Sequence, residues 1–148
     1  GVKVPLLREK KCLPNVSFIY EMSIPTGSST KSSDDVGHFF SLPWNYAITK
    51  KITAFGSLAG TVTNSPTGQF FAGQATLGGA YHATDWMTLY TEYFTRIHNT
   101  EHGDCLHVLS AGPIFWLTDN ISIDTRIGVG LNEEAPDFQT SVGMGIRF

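Results

Sequence analysis

The 148-residue chain has few charges, two cysteines and no long apolar run. Charged residues make up 16% of it, whereas soluble domains carry roughly 25%. A net charge of −3 offers no basic surface, so we expect no nucleic-acid partner. Polar residues or glycines interrupt every apolar stretch well short of the roughly 20 residues of a membrane-spanning helix, which excludes a helical membrane protein. Cys12 and Cys105 are too few for a disulfide framework.

Motifs of catalytic and cofactor sites are also missing. Neither Gly-x-Ser-x-Gly nor His-Glu-x-x-His occurs, and no glycine-rich loop precedes a helical pattern. We therefore expect neither an enzyme nor a cofactor. The stretch from His98 to His107 contains metal-ligating residue types, but Gly103 favours an irregular, solvated loop. We predict no metal site there.

The last two segments alternate apolar residues with small or charged ones. Residues 121–131 and 138–148 place an apolar side chain or a threonine at every second position. This period of two is typical of a β-strand with one apolar face. The opposite face carries glycine, serine and charges. The pattern predicts strands with a bulky face toward lipid and a small, polar face toward a lumen.

The same template predicts strands along the rest of the chain, and no segment has a helical period. The predicted strands span about 1–9, 15–25, 37–47, 51–62, 68–83, 85–97, 104–117, 121–131 and 138–148. The sequence does not define the phase of 51–62, but it predicts that Thr88, Tyr90 and Glu92 point inward. Tight turns near residues 50, 84 and 119 alternate with longer connections at 25–37, 62–68, 97–104 and 132–137. Because bacterial outer-membrane barrels have short periplasmic turns, the tight turns indicate the periplasmic rim.

Three tryptophans favour the same orientation. Trp44, Trp86 and Trp116 each lie within a few residues of a predicted tight turn. Aromatic residues form girdles at the membrane–water interfaces of such barrels. We predict that these residues form a girdle at one rim, the alternative being a chance placement in an aromatic-rich chain.

Charged residues on the predicted inner faces are candidates for lining the lumen. They are Glu21, Glu92, Asp124, Arg126 and Arg147. Charges inside a barrel can line an aqueous path that selects solutes, or they can pair and brace a filled interior. The sequence leaves both interpretations open and makes none of these residues catalytic.

Several motifs resemble one known family. Residues 117–124 read Leu-Thr-Asp-Asn-Ile-Ser-Ile-Asp, and residues 128–132 read Gly-Val-Gly-Leu-Asn. With Ile-Pro-Thr-Gly at 24–27 and Glu-Tyr-Phe at 92–94, they resemble the outer-membrane transporter family labelled for the meta-pathway of phenol degradation, most specifically its C-terminal part. The chain end, with Met144, Ile146 and Phe148, resembles the signal read by the barrel-insertion machinery. The sequence departs from the family at Pro113, inside a predicted strand.

These observations predict an all-β fold, an antiparallel up-and-down transmembrane β-barrel of which eight or nine strands are visible. We expect residues 1–148 to form a single domain. If residues 1–9 form a strand, that domain would lack N-terminal strands and be part of a larger barrel, because an odd strand count would begin at the external rim. The alternative is that residues 2–8 form a periplasmic arm and that the eight strands from Asn15 onward close by themselves. We expect a pore or transporter for small solutes in the bacterial outer membrane, with hydrophobic solutes implied by the resemblance alone. Expected partners are outer-membrane lipid, the insertion machinery and a small solute, and oligomer formation is open.

Two other functions remain open at this point. A structural or interaction barrel would have a plugged lumen and would mainly present its loops. A soluble ligand-binding barrel would hold its apolar face inside. The predicted topology also places Cys12 at the periplasmic rim and Cys105 beside an external loop, too far apart for a disulfide.

Overall fold

The computed structural model describes residues 1–10, 12–24, 36–65, 68–98 and 105–147. Its strands form one antiparallel sheet in which each strand pairs with the next along the chain. The strands are β1 (Val2–Leu7), β2 (Asn15–Ser23), β3 (Gly37–Ala47), β4 (Ile52–Ser65), β5 (Gly68–Thr84), β6 (Met87–His98), β7 (Cys105–Thr118), β8 (Ile121–Gly130) and β9 (Phe138–Ile146). The prediction of an all-β, up-and-down fold is confirmed.

Helices are not part of the described portion of the chain. Within those ranges no helix is long and apolar enough to cross a membrane.

The register gives the sheet two different faces. On β9, Val142 and Met144 are 76% and 68% exposed, whereas Gly143 between them is half-buried. Their neighbours on β8 continue this division, since Ile123 pairs with Met144 and Ile127 with Thr140. We call the side with these apolar residues the outer face. Apart from strand ends, it holds the even-numbered residues of β1 to β4 and β9 and the odd-numbered residues of β5 to β8.

The opposite side, which we call the concave face, carries the small and polar residues. Residues from six strands, β4 to β9, surround one cavity on this side, so the sheet curves around it. The buried apolar residues of the described chain are few and mostly small, namely Ala72, Val108 and Ala135. Most of the exposed bulky apolar side chains, such as those of Leu58, Leu77 and Val142, are instead on the outer face, the reverse of a soluble ligand-binding barrel.

The predicted strands agree with the observed ones, but one predicted connection is wrong. Ser65 pairs with Gly68, so the longer connection expected at 62–68 is reduced to residues 66–67. The β-branched residues Val62 and Thr63 suit a strand and extend the ladder of β4 and β5. Two-residue connections therefore occur at both rims, as at 85–86 and 119–120 on the other one. Turn length alone does not separate the rims.

The sheet is open between its first and last strands. β1 pairs with β2, β9 pairs with β8, and the described residues contain no pairing between β1 and β9. Because every pairing is antiparallel, these two edge strands run in the same direction. Of the eight or nine strands predicted, the described chain forms nine, whereas closure into a barrel is not seen in the described chain.

Candidate functional site

A cavity of about 490 Å³ opens on the concave face. This volume falls within the roughly 300–1,000 Å³ of small-molecule sites. Every lining residue occupies an inward position of its strand, so the alternation of the sequence decides which side chains reach the cavity. The lining consists of Thr53, Phe55, Ala80, His82, Thr88, Tyr90, Glu92, Ile114, Trp116, Asp124, Arg126 and Ser141.

Three charged side chains on β6 and β8 meet in this cavity. Arg126 Nη1 lies 3.6 Å from Glu92 Oε1, and Asp124 lies two positions before Arg126 on the same face. Gly143 faces Asp124 across the β8–β9 ladder. A Cβ atom at Gly143 would lie 2.5 Å from an Asp124 carboxylate oxygen, so glycine leaves the room that this carboxylate occupies. With two carboxylates and one guanidinium, the group has an excess of negative charge when all are ionised.

Two polar atoms beside these charges are buried without a hydrogen-bond partner among the described residues. They are Arg126 Nε and Ser110 Oγ. Ser110 pairs with Glu92 on one side and with Gly128 on the other, so it lies on the same inner row. Buried polar groups are rarely left unpaired in folded proteins. Of the two residues, Arg126 lines the cavity, whereas Ser110 is buried within the wall at 2% exposure.

The apolar part of the wall comes from rings on β4 and β7. Phe55 on β4 packs over Gly78 of β5, where any Cβ atom would overlap its ring. Ile114 and Trp116 on β7 contribute the facing apolar surface. The site thus combines rings, an aliphatic side chain and a charged group, a surface suited to small molecules that have an apolar body and a polar group.

His82 links three strands at the end of the cavity near the tight turns. Its Nδ1 lies 3.0 Å from Thr88 Oγ1, and its Nε2 lies 3.4 Å from Thr53 Oγ1. The tautomer decides which of these groups donates. Sequence reasoning missed His82, although the signal was available. His82 and Thr88 pair directly across the short β5–β6 turn, so the inward position of one implies that of the other.

A second cavity of about 420 Å³ continues the concave face toward β1. Its lining includes Lys3, Ser17, Ser57 and Thr76, and Glu92 borders both cavities. The polar inner surface therefore extends beyond the first cavity, and Glu92 lies where the two meet.

The five charged residues predicted to line the lumen do not all reach one place. Glu92, Asp124 and Arg126 line the first cavity together. Glu21 is on the concave face of β2, opposite Phe39, but it is exposed and borders a different cavity at the end of that strand. Arg147 follows β9 and is exposed, and its N–H donates to the Asn120 carbonyl at 2.8 Å.

The three tryptophans lie near the tight turns, but on different faces. Trp44 is on the outer face, where a Cβ atom at Gly56 would lie 2.9 Å from its ring. Trp86 stacks on Phe115, with ring centroids 6.1 Å apart and an interplanar angle of 15°. Trp116 departs from the expected girdle, because it pairs with the inward Ser122 and its side chain lines the cavity.

The proposed insertion signal is partly described. Met144 and Ile146 are exposed on the outer face, and Phe148 lies outside the described residues. That the chain end acts as an insertion signal stays a prediction.

No group of three or more metal-ligating side chains occurs within the described ranges. His98 and His107 belong to β6 and β7, while the intervening stretch at 99–104, including His102 and Gly103, lies outside the description. Cys105 Sγ lies 3.3 Å from His107 Nε2 on the outer face. Cys12 and Cys105 are both free.

Comparison with known proteins identifies a family. The family model described as "Putative MetA-pathway of phenol degradation" matches residues 2–148. No curated protein matches the chain.

Proposed function

The chain belongs to this family, because the match covers almost its whole length, and on that premise we propose that it is an outer-membrane channel for small solutes. The observation that carries the proposal is the division of the sheet into an exposed apolar face and a polar concave face. A wall of this kind is stable where lipid covers the first face and water or solute covers the second.

The membrane location rests on the composition of the outer face. Leu58, Phe138, Val142 and Met144 are each more than 60% exposed, and lipid contact would cover such side chains. In water, a contiguous apolar surface of this kind would promote association. The insertion machinery and outer-membrane lipid are accordingly the partners that we propose.

The solute class follows from the cavity and from the family description. Phe55, Tyr90 and Trp116 supply rings, while Glu92 and Arg126 supply charges and hydrogen-bonding groups. A small, neutral molecule with an apolar body and a polar substituent matches this lining. The description of the family concerns the degradation of phenol, a compound of this type, and its extension to this chain is part of the proposal. The function that we propose involves no catalytic step.

A barrel with a filled interior is the second candidate. The contact between Arg126 and Glu92 favours it, because paired charges can brace a narrow lumen. In that case the chain would mainly present its loops, and solutes would not cross.

Conductance of the purified, full chain in a planar bilayer tests the proposal. We expect discrete open levels in the wild type and a lower level in Ser141→Trp, because Ser141 lines the cavity. Thr140→Trp is the matched control, since Thr140 is the adjacent residue and lies on the outer face. This variant should conduct like the wild type.

Two results would contradict the channel. A folded protein that never conducts would favour the filled barrel. Equal conductance in Ser141→Trp and Thr140→Trp would mean that current does not pass the concave cavity.

A further inference from the structure

The ladder between β7 and β8 is interrupted at Pro113. Pairing stops at Ala111–Ile127 and resumes at Ile114–Asp124, with the register unchanged. Proline has no N–H group, so it cannot donate the hydrogen bond that another residue would supply to β8. The two strands therefore share fewer ladder bonds here than on either side.

Other groups only partly compensate for the missing bond. The Thr125 carbonyl accepts a hydrogen bond from the Tyr90 hydroxyl at 3.5 Å, the long end of the range, and Tyr90 belongs to β6. Gly112 contributes no side-chain contact to this part of the ladder. A Cβ atom at this position would overlap the Thr125 carbonyl. We call the stretch formed by residues 112–114 and 124–126 the Pro113 seam.

Cavities lie on both sides of the Pro113 seam. On the concave side, Ile114, Asp124 and Arg126 line the 490 Å³ cavity. On the outer side, Pro113 and Ile127 line a pocket of about 520 Å³ whose other side chains are mostly apolar. Tyr90 borders both. The single strand layer between the concave cavity and the outer pocket therefore contains an interrupted ladder at this place.

The ladder between β2 and β3, which is interrupted beside Pro43, lacks this arrangement. Pairing of β2 with β3 skips the positions around Pro43 in the same way. Its outer side carries a cluster of rings, since Phe40 lies 6.5 Å from Phe18 and 5.2 Å from Tyr20, centroid to centroid. Pro43 itself is on the concave face, paired with Ser57, whereas Pro113 is on the outer face, paired with Leu89.

We propose that the Pro113 seam is a lateral exit through which a small, apolar solute passes from the concave cavity into the lipid. The inference rests on the proposed channel and adds a route to it. Transient separation of β7 and β8 needs few broken bonds at this seam, and the outer pocket receives the apolar body of the solute. Ions have no such route, because the outer pocket offers almost no polar surface to replace their hydration.

Uptake of an apolar naphthylamine dye that fluoresces in lipid tests the exit in bacteria that express the full chain. Pro113→Val supplies the missing N–H group and a residue that favours strands. We expect the dye uptake of this variant to fall toward that of cells without the protein. Planar-bilayer conductance should stay at the wild-type level, since Pro113 does not line the concave cavity.

A disulfide clamp gives a second, reversible test in a Cys12→Ser, Cys105→Ser background. Ala111→Cys with Ile127→Cys joins the directly paired residues beside the seam, and Ile123→Cys with Met144→Cys is the control clamp between β8 and β9. Oxidation should abolish uptake only in the first pair, and reductant should restore it.

The lateral exit would be contradicted if dye uptake and conductance were both unchanged in Pro113→Val and in the oxidised seam clamp. The proposed channel would not be affected by that result. Absence of conductance in the wild type would overturn the channel and the exit together.

Discussion

Two neighbouring glycines on β5, one on each face of the sheet, differ in how much room surrounds them. Gly78 is on the concave face, where an added Cβ atom would overlap the Phe55 ring. Gly79 is on the outer face, where the nearest atom to an added Cβ is the Thr53 carbonyl oxygen at 4.0 Å. At this point of β5 the concave face is thus packed and the outer face is open. The outer face is not open everywhere, since a Cβ atom at Gly56 of β4 would lie 2.9 Å from the Trp44 ring.

An arginine scan of β9 should give the largest difference between the faces. Val142→Arg would place a charge on the outer face, where it costs about 2–4 kcal/mol near the middle of the bilayer. Ser141→Arg would place the same charge on the concave face and should be much less costly. Ser141 is a better control than Gly143, whose space the Asp124 carboxylate occupies. Equal free energies of unfolding from liposomes for both variants would contradict the assignment of the faces.

Alanine at the two neighbouring glycines should give the next largest difference. Gly78→Ala crowds the Phe55 ring and should lower the free energy of unfolding by about 1–3 kcal/mol, as overpacking does. At Gly79 the added methyl group meets open space. Gly79→Ala should therefore change the free energy of unfolding little, or raise it by about 0.4–1 kcal/mol because alanine lowers the conformational entropy of the unfolded chain. Denaturant titration of both variants in the same liposomes measures the difference. A larger loss at Gly79 would show that the outer side is the packed one at this point of β5.

The charge pair of the concave face should contribute least to stability. Arg126 and Glu92 are 3.6 Å apart, and their side chains are 37% and 20% exposed. Partly exposed ion pairs contribute about 0.2–1 kcal/mol in double-mutant cycles. We expect a coupling free energy in that range from a double-mutant cycle of Glu92→Gln and Arg126→Gln, in which the free energies of unfolding are measured with denaturant. A coupling of several kcal/mol would identify the pair as a brace of a filled interior.

The sequence was most informative where one face was bulky and the other small. β8 and β9 have this pattern, and the inward set Thr88, Tyr90 and Glu92 on β6 was also predicted correctly. The period of two fixes the face of each residue once a single residue of the strand is assigned.

The sequence failed where both faces carry small residues or where pairing depends on a distant strand. Ala54, Gly56, Ala59 and Gly60 weaken the alternation of β4, so Phe55 was missed as part of the site. Trp116 was assigned by its distance from a turn, which does not determine its face. Proximity of Glu92 and Arg126 depends on the register of β6, β7 and β8 together, which no local pattern encodes.

Spin-label scanning along β9 in liposomes tests the central claim most directly. Single nitroxide labels at each position from Phe138 to Met144, in the background without Cys12 and Cys105, report contact with oxygen in lipid and with a nickel chelate in water. The two-faced wall predicts oxygen contact at even positions and chelate contact at odd positions, alternating with a period of two. A membrane-facing outer surface would be contradicted if labels at Phe138, Val142 and Met144 contacted the chelate as much as the label at Ser141 does.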